Sequence, residues 1–237
     1  MTDAPSPPAR AHQLAAESAR TLATLSWALP LVFAVAYVVA DAFSVRKFFL
    51  LSGHISLVAA ASLLTESSDR LRAFPKARKA ASTAAGLGLA SCALALYALY
   101  PTIRTLAEKE DAVFAWLDAA DPGLRLAYTM WLIYALVAAA ATFWLSALAK
   151  VASSLGERIE GRGLLVGAFF VVAASAAALH ACFVARPELD SLRELFAAGL
   201  LLGASTVAFR LRGALVRLAE ALDARAQRVR LETPARP

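Results

Sequence analysis

The sequence predicts an all-α polytopic membrane helix bundle with six transmembrane helices, and three observations carry that prediction. Of its 237 residues 59% are hydrophobic and 18% charged, against about half and about a quarter in soluble domains. The apolar excess is gathered into runs nearly free of Asp, Glu, Lys and Arg. Each run is long enough, at about 17 to 25 residues, to cross roughly 30 Å of hydrocarbon as a helix. The basic residues, finally, alternate in density between successive loops.

The first span runs from about Thr21 to Phe43 and contains Pro30. The second covers Phe48 to Leu64, the third Ala80 to Tyr100, the fourth Leu126 to Ala149 and the fifth Gly163 to Ala185. A sixth starts near Leu195, and its uncharged part stops at Phe209. Arg210 and Arg212 can bury their stems while their heads reach water, which extends this span to about Val216.

With the N-terminus in the cytoplasm, the inside segments hold 17 of the 24 Lys and Arg residues and the outside loops hold 7. That asymmetry is the positive-inside pattern, and it predicts a cell-membrane protein with both termini cytoplasmic. The net charge of +6 is then a topology signal, and nucleic acid is not an expected partner. "AVA" at 34–36 has the small residues of a signal-peptide cleavage site, but the apolar run continues to Phe43, so a retained signal-anchor is expected.

The expected organisation has three parts. Residues 1–20 form a disordered to amphipathic lead, Pro-rich at first and helical from about His12. Residues 21–216 form the six-helix transmembrane domain. Within it, 101–125 is expected as an outer interfacial helix, because Leu106, Val113, Phe114 and Leu117 recur at helical spacing opposite Glu108, Glu110, Asp111 and Asp118. Residues 217–237 form a basic cytoplasmic tail. Leu211, Leu215, Leu218, Leu222 and Val229 lie four and three apart there, in a phase that also brings Arg225 into the seam.

Sliding the second span onto the fifth by 114 positions superposes Leu50, Leu51, Gly53, Val58, Ala59 and Ala60 on identical residues from Leu164 to Ala174. Sliding the third onto the sixth by 113 brings "AAGLGL" onto "AAGLLL". Two matches at nearly one offset suggest a 3+3 inverted repeat, an arrangement that recurs in transporters. An Ala/Leu-rich alphabet produces such matches by chance too, and the first and fourth spans align poorly.

Chemistry is sparse. H-E-x-x-H, C-x-x-C, G-x-S-x-G and phosphate-loop motifs are all absent, and no catalytic residues or bound metal are expected. Asp41 is the one intramembrane carboxylate candidate, close to Arg46 and Lys47. His54 and His180 stand at similar depth beneath the outer surface on the second and fifth spans, with Cys92 in the outer half of the third. His54, His180, Asp41 and Cys92 therefore form a candidate outer pocket. Two depth-matched histidines also meet the first requirement of a bis-histidine haem b. A membrane histidine equally makes a single interhelical hydrogen bond, and packing explains both.

Small residues mark the expected helix contacts. These are Gly199 and Gly203 in the sixth span, Ser82, Gly86 and Ala90 in the third, and Ser52, Ser56 and Ala60 in the second. The predicted function is that of a passive channel or facilitator for a small solute. The alternatives are a non-catalytic scaffold or accessory subunit, forming a homo-oligomer or packing against another membrane protein, and a bis-histidine haem redox carrier.

Overall fold

The computed structural model describes residues 7–42, 46–107, 122–184 and 190–232. They form six helices and, among them, no strand: α1 Pro7–Ala42, α2 Arg46–Leu71, α3 Arg78–Ala107, α4 Pro122–Ser154, α5 Arg162–Val184 and α6 Asp190–Glu232. Among the described residues four stretches are long and apolar enough to cross a membrane: Arg78–Leu99, Thr129–Ser154, Arg162–Leu179 and Leu192–Val229. The interfacial helix expected over 101–125 falls largely outside the described residues; α3 itself continues through Pro101 to Ala107.

The helix starts and stops follow local chemistry. Helix α1 opens on Pro7 and Pro8, whose missing N–H groups go unused in a first turn. Helix therefore begins well before the position that the Pro-rich, polar lead suggested. Between α2 and α3 the chain makes tight turns, with Phe74 N–H donating to Leu71 C=O and Ala77 N–H to Phe74 C=O. Helix α4 ends in a paired cap: Glu157 N–H donates to Ala152 C=O and Gly156 N–H to Ser153 C=O. Gly156 sits at φ +84°, the left-handed conformation that such a cap requires.

The helices form a ring in chain order, closed by α1 lying along α6. The beginning of α1, the α2–α3 turn, the α4–α5 turn and the end of α6 share one end of this ring, here termed the terminal end. Three contacts fix it. Arg20 pairs with Asp223, Arg70 donates to the Leu14 carbonyl at 3.3 Å, and the rings of His12 and Phe74 meet edge-on with centroids 5.2 Å apart.

Two packed layers are stacked along the ring. The layer at the terminal end joins Ala15, Ala16 and Ala19 of α1 to Trp144, Leu145, Leu148 and Val151 of α4 and to Leu211, Leu215, Leu218 and Leu222 of α6. The layer at the far end joins Leu57, Ala95, Ala98, Met130, Ile133, Tyr134, Ala177, Leu179 and Leu200. The leucine seam of the tail is thus satisfied within the chain, by the alanines of α1. Arg225 is exposed and Ala226 is buried in its place. A continuous helix advances about 100° per residue, so the drift of a short 4-3 pattern moves the seam by one position.

Candidate functional site

The site is the gap between the two layers. Helices α1, α2, α4, α5 and α6 surround a cavity of about 210 Å³. At its middle the walls are alanines from four helices: Ala60, Ala138, Ala141, Ala173, Ala176 and Ala204. Beside them stand Val137 and Val172, and the short alanine side chains leave space along the axis that the larger side chains at either end would fill. Apolar cavities of about 150 Å³ stay dry and take up small hydrocarbons. This one is larger.

The cavity has two unlike ends. Toward the terminal end its walls are Leu22, Leu64, Trp144, Val207 and Leu211. Trp144 is 2% exposed, and its indole N–H is already taken, donating to Ser67 Oγ at 2.8 Å. Ser26, also at this end, turns its hydroxyl back to the Ala23 carbonyl at 2.9 Å. The far end carries Ser56 of α2 and Tyr134 of α4. The Tyr134 hydroxyl lies beside Gly53, where an added Cβ would stand 3.9 Å from Oη.

Of the predicted outer pocket, only His54 and Cys92 have described side chains, and these two stand apart. His54 is fully buried and is not part of the cavity wall. Cys92 Sγ lies 3.7 Å from Ser62 Oγ, on the seam between α2 and α3. Ser62 is eight residues along α2 from His54, an axial separation of about 12 Å at 1.5 Å per residue. Cys92 therefore does not share a pocket with His54, because the facing helix meets α2 at a level that loop-based depth counting could not give. Asp41 belongs to α1 and His180 to α5, and their side chains lie outside the described residues. No group of three metal-ligating side chains occurs among the described residues.

The small-residue stripes separate in the same way. Gly199 and Gly203 of α6 face α5, since an added Cβ would stand 2.8 Å from Ser175 Oγ and 2.9 Å from Val172 Cγ2 respectively. Ser56 and Ala60 line the cavity. The expectation for Gly86 is corrected: it faces outward with nothing within 4 Å of an added Cβ, and Ser82 and Ala90 are exposed with it. The face of α3 that packs is instead Ala81, Ala84, Gly88, Ser91, Ala95 and Ala98, all buried. Both faces are built of small residues, so composition does not distinguish them.

Tyr134 and Trp144 do not stand out in the sequence. Tyr134, Val137, Ala138, Ala141 and Trp144 recur at helical spacing, but α4 is apolar on every side and the stripe carries no contrast. Comparison with protein-family models, curated proteins and solved structures finds no match. The geometry alone carries the functional reading.

Proposed function

We propose that this chain is a non-catalytic integral membrane protein that holds a small, largely apolar molecule in its central cavity and acts as a passive facilitator for it. The apolar walls of the cavity are the observation that carries this reading. A pathway for ions or sugars needs polar groups in the low-dielectric region, since an unsatisfied polar group there costs several kcal/mol. The described walls carry two hydroxyls at the far end, those of Ser56 and Tyr134, and at the terminal end only the Ser26 hydroxyl and the Trp144 N–H, both already donating within the protein; the remainder is hydrocarbon.

Six crossings with both termini cytoplasmic belong to the same proposal. The terminal end carries exposed Lys76, Arg78, Lys79, Lys150, Arg158, Arg162, Arg210, Arg212, Arg217, Arg225 and Arg228, the density that the cytoplasmic face retains. A 3+3 inverted repeat is compatible with the ring. Exchanging the halves maps the α1–α6 contact onto α3–α4 and the α2–α3 contact onto α5–α6. The contact of α2 with α4 breaks that symmetry, as its counterpart between α1 and α5 is not comparable.

The protein in lipid nanodiscs provides the test. Short alkanes should raise its unfolding midpoint saturably, and Ala173→Phe, which fills the cavity, should remove the effect. Stabilisation by glycerol or monovalent cations, with none by alkanes, would reverse the assignment.

A second reading rests on α3. Its outward stripe of Ser82, Gly86 and Ala90 is the surface on which another transmembrane helix packs closely, as an accessory subunit or homo-oligomer requires. Loss of a cross-linkable dimer in Gly86→Leu would support it.

A further inference from the structure

The polarity gradient of the cavity narrows the guest further. Tyr134 is 7% exposed, lines the far end of the cavity, and makes no hydrogen bond among the described residues. A phenol in hydrocarbon that lacks a partner carries a desolvation cost that a ligand acceptor relieves. Ser56 places a second hydroxyl at the same end. At the other end the two polar groups on the wall, Trp144 Nε1 and Ser26 Oγ, are occupied by Ser67 and Ala23. Only the far end has an uncommitted donor to offer.

From Tyr134 to Trp144 is ten residues of α4, a rise of about 15 Å. The cavity is therefore elongated along the bundle, with a donor at one end and an indole face at the other. A charged head is unsuited to it, because an ion at this depth requires a counter-charge and the described walls contain none.

Resting on the apolar-guest reading above, we infer that the cavity is a binding site for a neutral, single-headed amphiphile. Its one hydroxyl or carbonyl oxygen accepts the hydrogen of Tyr134 Oη, and its hydrocarbon body runs toward Trp144. Long-chain or isoprenoid alcohols and ketones are the chemical class that this describes. The proposed residue roles are Tyr134 as donor, Ser56 as its neighbour, and Trp144 with Leu211 as the apolar stop.

The experiment uses the full chain in nanodiscs with Trp27, Trp116 and Trp131 replaced by Phe, leaving Trp144 as reporter. Two probes are titrated, 12-bromododecan-1-ol and 1-bromododecane, and bromine quenching of Trp144 emission is followed. The alcohol should quench saturably at a concentration about fivefold below that of the bromoalkane, the effect of one hydrogen bond of ordinary strength. Tyr134→Phe should bring the two half-quenching concentrations together while both probes still quench. Equal concentrations in the unmutated reporter, or a preference that survives Tyr134→Phe, would overturn the head-group assignment and leave the apolar-guest reading standing. Quenching by neither probe, or quenching that persists in Ala173→Phe, would overturn the cavity reading itself.

Discussion

Trp144 of α4 donates its indole N–H to Ser67 of α2 across 2.8 Å, with both side chains buried. This bond ties α2 to α4 where the terminal layer meets the cavity. Replacing Ser67 by Ala should leave the indole N–H unpaired at a cost of about 1–3 kcal/mol. Ser67→Thr, which keeps the hydroxyl, should recover most of it. Detergent unfolding followed by Trp144 emission reads both, and equal stability of the Ala and Thr variants would show that the bond contributes nothing.

Gly88 and Gly86 lie two apart on α3 and should respond in opposite ways. An added Cβ at Gly88 would stand 2.5 Å from Thr65 Oγ1 and 3.2 Å from the Ala61 carbonyl. Thr65 Oγ1 is itself bonded to that carbonyl at 2.8 Å, so the β-branched side chain has little room to yield. Gly88→Ala should destabilise by about 1–3 kcal/mol. Gly86→Ala faces open space and should fall within about 0.5 kcal/mol of the parent. Melting curves of the two variants measured side by side decide the point.

The pairing of α1 with α6 rests on leucines set against alanines. Leu215 is 0% and Leu218 2% exposed, and truncating either to Ala should cost about 2–5 kcal/mol. Arg225 is exposed, so Arg225→Glu should leave stability nearly unchanged. A large loss in Arg225→Glu, with tolerance at Leu215, would place the seam in the phase that the sequence suggested.

Arg20 and Asp223 join the two chain ends at the terminal face, with side chains 55% and 33% exposed. An ion pair that open to solvent contributes at most about 1 kcal/mol, and Asp223→Ala should shift the unfolding midpoint only slightly. Its value is as a ruler. Cysteines at 20 and 223, in a background with Cys92 and Cys182 replaced by Ala, should cross-link under mild oxidation. Absence of that product would separate the two ends.

The histidine pair shows why half of the site escapes the sequence. His54 stands out because an imidazole contrasts with an apolar run, and the structure buries it completely. Tyr134 and Trp144 sit among other apolar residues of α4, where no contrast marks one face. A helix reveals its inward side only when the opposite side is polar, and one surrounded by protein and hydrocarbon has no polar side.

By itself, then, the sequence determined that the chain is helical and that it holds apolar helices long enough for a bilayer, four of them among the described residues. Both follow from local quantities: backbone groups without water must bond within a helix, and length and composition are counted along the chain. Tertiary structure alone decided which small-residue stripe faces inward on α3, that α1 fills the leucine seam of α6, and that alanines from four helices meet at one level to leave a cavity. These depend on the rotation and axial offset of one helix against another. Helix contacts in an apolar surrounding are governed by shape, and shape at a crossing belongs to two segments at once.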